Sequence, residues 1–252
     1  MDSPGETMSV PALDAAFSGN RLLATLSAED RALLEPSMRV LTLESGTCML
    51  DAGDTVTTSL FPFDGLIVSL QIEISGNRSV EVASIGMEGA VGGIVSCGVV
   101  PAFAQTVVQL GGHAAAVPMK VLEAAKLASP HIKNLFCRYA DALLAQIMQS
   151  VACNAFHPIE ARAARWLLHA HDRAGSERLA LTQESLAGLL GVQRTTVNAV
   201  ARVLQEQGLI AYRRGAIQVV NRAGLSKAAC GCYRAVEDHF QSVLGPSGRG
   251  GG

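Results

Sequence analysis

Residues 181–220 read LTQESLAGLLGVQRTTVNAVARVLQEQGLIAYRRGAIQVV, and this stretch decides how the rest of the chain is understood. Thr182 is placed to cap a short helix whose Leu186, Leu189 and Leu190 face inward. Ala187 is small, and Gly191, four residues on, allows the positive φ of a tight turn. Val197 and Val200 then fall where a second helix must anchor against the first. A small residue at the crossing, glycine in the turn and branched residues beyond it predict two helices meeting steeply, a helix-turn-helix built on Ala187, Gly191, Val197 and Val200. Gly208 stops the second helix. Leu209–Tyr212, the tip Arg213-Arg214-Gly215-Ala216 and Ile217–Val220 then read as a hairpin with a basic end, the wing of a winged helix.

The outward positions of the second helix fit a reader of double-stranded DNA. Gln193, Arg194, Thr195 and Thr196 stand at its N-terminus, the end a recognition helix pushes into the major groove, and Asn198 and Arg202 follow within two turns. Arg pairs bidentately with guanine, Gln or Asn with adenine, and Thr touches the thymine methyl. Arg213 and Arg214 are placed for phosphates, which fix register without reading sequence. A solvated polar helix face is the plain alternative. The coincidence of the helix-crossing spacing, the wing and a local excess of positive charge favours DNA.

That excess is regional. The chain of 252 residues carries a net charge of −2. Residues 1–157 hold 8 basic and 15 acidic side chains, residues 158–222 hold 9 and 5, and residues 223–252 hold 3 and 2. An acidic first part on a basic second part suggests a sensor or scaffold joined to an anion-binding module. With 49% hydrophobic and 17% charged residues the chain is not of the disordered class. The start, MDSPGETMSV, has neither a basic n-region nor an apolar h-region. The uncharged run 89–119 is broken by glycines and Pro101, so it reads as buried strands and turns, not as a membrane span.

Upstream, Ser27 followed by Glu29 and Asp30 starts a helix that ends near Pro36. From 38 to 118 short apolar stretches, Arg39–Leu43, Leu66–Ile74 and Thr106–Leu110, alternate with turn residues, and Ser75-Gly76-Asn77 suggests a hairpin. This texture predicts an antiparallel sandwich or barrel. Ser129-Pro130 opens a long helix without Gly or Pro to residue 155. Its stripe Ile132, Phe136, Tyr139, Leu143, Ile147 and Val151, widened by Leu135, Leu144 and Met148, exceeds what one small barrel covers. A symmetry mate is the simplest cover, so these residues are expected to form a homodimer seam. His157-Pro158 begins another helix that stops near Gly175, and GPSGRGGG is a flexible tail.

With these pieces in order, the chain resembles the Crp/Fnr family of bacterial regulators, most clearly over 181–220. The resemblance implies an α+β chain: an N-terminal helix and antiparallel, jelly-roll-like β-roll sensor (1–118), a linker and dimerisation helix (119–156), a winged helix-turn-helix (157–222), and a C-terminal helix with tail (223–252). It further implies a cytoplasmic homodimer on a pseudo-palindromic operator, working with RNA polymerase. Arg194 matches the family's base-contacting Arg. Thr195 and Ala199 stand where the cyclic-AMP-binding members carry Glu and a second Arg, so the operator is expected to differ. In the sensor, Gly92-Gly93 replaces their Gly-Glu pair and Ala104-Gln105 their Arg pair, and no Lys or Arg occurs between Arg78 and Lys120. A buried cyclic phosphate would then lack a counter-charge, so no tight cyclic AMP binding is expected. Residues 1–47 contain no Cys for the N-terminal iron–sulfur cluster of the oxygen-sensing members.

No cofactor, metal or catalytic residue is expected. The six cysteines are scattered, and the one close pair, Cys230-Gly-Cys232, lacks a second pair to complete a zinc set. Haem on His113 is set aside because a single His beside a Gly-Gly turn is more often structural. A cupin-like metalloenzyme would need clustered His, whereas 38–118 hold only His113, and His169 and His171 point apart on their helix. No G-x-S-x-G is present. The other alternative is a protein-interaction module with an inactive DNA head.

Overall fold

The computed structural model describes residues 10–74, 79–93, 100–213 and 215–245. Helices α1 (Val10–Gly19) and α2 (Ala28–Leu34) lead into strands β1 (Arg39–Leu43), β2 (Cys48–Leu50), β3 (Thr58–Phe63), β4 (Ile67–Glu73), β5 (Ser79–Ile85), β6 (Gln105–Leu110) and β7 (Gly112–Pro118). Ser27 caps α2, its hydroxyl accepting from the Asp30 N–H at 3.1 Å. The strands form two antiparallel sheets, ordered β1-β7-β3 and β2-β6-β4-β5. Leu60, Leu66, Val68, Ile85, Val91, Val108, Ala114 and Ala116 fill the roll. The expected hairpin at 75–77 lies outside the described residues, but the strands flanking it pair antiparallel, Glu73 opposite Ser79.

Two strands carry no strong sequence signal. β7 reads GHAAAVP, yet it is the middle strand of its sheet, with Ala114 and Ala115 fully buried. Small side chains are required there: a Cβ on Gly112 would come within 2.5 Å of the Leu66 nitrogen. β3 holds Pro62, which is tolerated because β3 is an edge strand.

After β7 come α3 (Met119–Ala128) and α4 (Pro130–Phe156), a helix of 27 residues capped by Ser129, which accepts from the Ile132 N–H at 3.2 Å. The dimer seam expected along α4 needs correction in its first half. Ile132, Phe136 and Tyr139 are buried within the chain's own core, against Phe61, Val117, Leu122 and Phe240. They are therefore covered without a second copy. Leu143 packs against the roll. The large apolar side chains of α4 left in solvent are Leu144, Met148 and Val151, at 53%, 58% and 67% exposure, and Phe156 at its end, at 85%.

The remaining elements are α5 (Ile159–Ala174), β8 (Arg178–Leu179), α6 (Gln183–Leu190), α7 (Arg194–Glu206), β9 (Ile210–Arg213), β10 (Ala216–Val219), α8 (Arg222–Ala228) and α9 (Cys232–Leu244). Where one C-terminal helix was expected there are two. Strands β8-β10-β9 form a small antiparallel sheet beside α5 and α7. Among the described residues no helix is long and apolar enough to cross a membrane.

The two halves are packed together. Ile67 and Leu110 of the roll belong to the same apolar cluster as Trp166, Leu186 and Val197. The Trp166 indole donates to Glu81 Oε1 at 2.8 Å. Arg173 is buried, pairing with Glu88 at 2.9 Å and donating to the Ser84 hydroxyl at 2.6 Å. Helix α9 returns to α4, where Phe240 meets Tyr139 edge-on at 6.5 Å between ring centroids.

Candidate nucleic-acid interface

The helix-turn-helix is held as its residues require. The Thr182 hydroxyl accepts from the Ser185 N–H at 3.0 Å, satisfying one of the free donors of α6. Gly191 ends α6 at φ +66°, and the Val192 N–H returns to the Ala187 carbonyl at 3.0 Å. Ala187, Val197 and Val200 are buried at the helix crossing with Leu186, Leu190, Ala201 and Leu204.

With that face inward, the opposite face of α7 is open. Gln193, Arg194, Thr195, Asn198 and Arg202 are exposed and Thr196 is half-buried. Gln193 is the N-cap residue in extended backbone and spends no side-chain bond on the cap, leaving its amide available. Arg194 lies 3.6 Å from Glu184 and Arg202 3.8 Å from Glu206, with all four side chains more than 60% exposed. Exposed pairs of this kind contribute about 0–1 kcal/mol, so phosphates or base edges can replace the carboxylates. α6 packs on β5, with the Gly191 Cβ position 3.1 Å from Val80.

The wing brings one unforeseen cation. Arg213 is exposed at the end of β9, whereas Arg214 lies outside the described residues. Gln205 accepts from the Tyr212 N–H at 2.9 Å and ties the wing to α7. Beside the wing, β8 places Arg178 opposite Gln218, so Arg178 and Arg213 share one shallow depression. The two-residue strand β8, 35 positions before Arg213 in the sequence, is too short to be seen without its partner.

In the roll, the Gly92-Gly93 turn has positive φ at both residues and is closely packed: a Cβ on Gly92 would sit 2.8 Å from the Thr58 carbonyl oxygen, and one on Gly93 would collide with Met119. Gln105 donates to Asp51 at 2.8 Å. His113 pairs with Asp64 at 2.9 Å and stacks on Phe63, a structural role for the residue considered for haem.

A second cluster corrects the expectation that Cys230-Gly-Cys232 has no companion pair. Cys153 and His157, one turn apart at the end of α4, meet it: the four ligand atoms all lie within 4.8 Å of one another. Cys153 Sγ is 3.5 Å from Cys230 Sγ, and Cys232 Sγ is 3.5 Å from His157 Nδ1. Burial, with the neighbouring Cys153 and Cys232 thiols, pushes the Cys230 thiol up to about 12. The pairs are separated by more than seventy residues, so no local spacing reveals them.

Residues 161–228 match the profile of the Crp-like helix-turn-helix domain. No curated protein matches the chain by sequence. Among solved structures, FixK2 from Bradyrhizobium japonicum is similar with a TM-score of 0.64 at 16% identity, over 77% of this chain and 98% of that one. The c-di-GMP responsive global regulator CLP of Xanthomonas campestris is similar with a TM-score of 0.61 at 17% identity, over 77% and 99%. A CRP-family transcriptional regulator from Thermus thermophilus gives 0.62 at 15%, over 75% and 96%. Residues 161–228 are thus a Crp-like helix-turn-helix domain, borne on a chain with the fold of the Crp/Fnr transcription regulators.

Proposed function

We propose that the chain is a homodimeric, sequence-specific DNA-binding regulator that inserts α7 into the major groove of a pseudo-palindromic operator. The observation that carries this reading is the division of α7: Val197, Val200 and Leu204 are buried, while Arg194, Thr195, Asn198 and Arg202 face solvent beside a cationic wing. Gln193, Arg194, Thr195, Thr196 and Asn198 are assigned to base edges. Arg202, Arg213, Arg214 and Arg178 are assigned to phosphates. The reading includes RNA polymerase as a further partner and the cytoplasm as the place of action. The roll is assigned no cyclic AMP: its Gly92-Gly93 turn has no room for side chains, and residues 79–119 supply no Lys or Arg for the phosphate.

The test is selection of operators from random DNA with the purified chain. A two-fold symmetric motif is expected, with half-sites about one helical turn apart. Arg194→Ala is expected to cost about 1–3 kcal/mol and relax selectivity at one position per half-site, while Arg178→Ala lowers affinity for all sequences alike and reduces the salt slope by about one. Binding indifferent to salt and to both substitutions would sink the proposal. Sub-micromolar cyclic AMP affinity by calorimetry would refute the assignment of the roll.

A further inference from the structure

We propose that Cys153, His157, Cys230 and Cys232 form a tetrahedral Cys3His site for a soft divalent cation of the zinc class. The inference stands independently of DNA binding. With Zn–S of about 2.3 Å and Zn–N of about 2.0–2.1 Å, a tetrahedral site has S···S edges of about 3.8 Å and S···N edges of about 3.6 Å. Two of the edges here are 3.5 Å each, and none of the six exceeds 4.8 Å. Small side-chain adjustments would place all four atoms on one ion.

The backbone supports this arrangement from both sides. Cys153 and His157 are four residues apart, so they project from the same face of the last turn of α4. Cys230 and Cys232 flank Gly231, the N-cap residue of α9, and Cys232 is the first residue of that helix. Gln149 donates to Cys232 Sγ at 3.0 Å, the kind of outer contact that orients a ligating sulfur. Cys153 and Cys232 are buried and Cys230 is half-buried, while His157 at the rim leaves a way in for the ion.

Charge is also accounted for. Three thiolates, a neutral imidazole and a divalent cation sum to one negative charge. Arg162, on the first turn of α5, is near enough to Cys153 and Cys230 to interact electrostatically with both, and its Nε has no hydrogen-bond partner among the described residues. Binding replaces the three thiol protons with the cation, and these pass to solvent. Four protein ligands close the coordination sphere, which makes the site structural in type, with no open position for substrate. Its place is particular: one ligand pair ends α4 immediately before Pro158, where the chain turns into the DNA-binding half, and the other starts α9. The ion would join the two sides of this junction.

The experiment uses the full chain, reduced and stripped of metal under anaerobic conditions, with Co2+ as the probe. A tetrahedral cobalt d–d spectrum with thiolate-to-cobalt charge transfer is expected, saturating at one ion per chain and bleached by Zn2+. Cys153→Ser and Cys230→Ser are each expected to weaken binding by at least about a hundredfold. Because Cys153 is buried, His157→Ala serves as the gentler variant: its circular dichroism stays that of the parent while the cobalt spectrum changes and affinity falls. Cys48→Ser and Cys137→Ser, both at exposed positions, leave binding intact. The proposal is overturned if cobalt shows only a six-coordinate spectrum, or if Zn2+ gives Cys153, Cys230 and Cys232 no protection from alkylation. It is equally overturned if air links Cys153 to Cys230 while the untreated protein retains no metal.

Discussion

The dimer reading is most sharply tested at Met148. Leu144, Met148 and Val151 follow one another at steps of four and three along α4, the spacing of a two-helix seam, and Ala155 continues it on the exposed face. More than half of each of the three large side chains remains in solvent. Full burial of such a side chain is worth about 1.5–3 kcal/mol, so covering what is left gives about 1–2 kcal/mol apiece. A two-fold axis doubles every substitution, and Met148→Asp removes about 2–4 kcal/mol before any repulsion between the paired carboxylates. That is about a 30- to 1,000-fold rise in the dimer dissociation constant. Sedimentation equilibrium over a concentration series reads it directly. Leu127→Asp is the control, since Leu127 is 87% exposed but lies on α3, off the seam. Met148→Asp that still sediments as a dimer, with Leu127→Asp dissociating, would refute the placement of the seam. A parent chain that is monomeric at micromolar concentration would refute dimerisation itself.

Two further outcomes concern the join between the halves and its neighbourhood. Arg173→Met leaves the buried Glu88 carboxylate without its partner and is expected to cost about 3–5 kcal/mol in urea unfolding, whereas adding Glu88→Gln to it recovers most of the loss. His169, between Glu237 at 3.3 Å and the charges of Arg173 and Arg165, is held below the ordinary histidine value of 6.5 by burial, with Glu237 opposing. The unfolded chain therefore takes up this proton first as the pH falls. The stability His169 contributes is complete above 6.5 and is lost as the pH descends through the lower folded value. Thermal melts across this window are expected to show that loss in the parent and a flatter profile in His169→Gln.

How much could be read from sequence follows the range over which each signal acts. The caps at Ser27, Ser129 and Thr182, the turn at Gly191 and the inward triad Leu186, Leu189, Leu190 are local, and the structure has all of them. The outward placement of Gln193, Arg194, Thr195, Asn198 and Arg202 follows from the helical period once Val197 and Val200 are fixed as inward. The features that escaped depend on a distant partner. β7 is a strand because β1 and β3 lie on either side of it, not because alanine favours strands. Arg178 joins the wing only through its pairing opposite Gln218. Apolar periodicity showed which face of α4 wanted cover, but not that α9 would supply it for Tyr139.

The return of α9 has a consequence for how the protein is made. Val236 and Phe240 belong to the same apolar cluster as Phe17, Leu34 and Phe61, so residues from near both ends of the chain complete one interior. During synthesis the roll and the long helix emerge well before residue 236, and their inner surface stays open for as long as the DNA-binding half takes to be translated. The β-roll half is thus a late finisher. A ribosome stalled in the wing would present an unsealed, sticky intermediate, a natural target for chaperones and proteases.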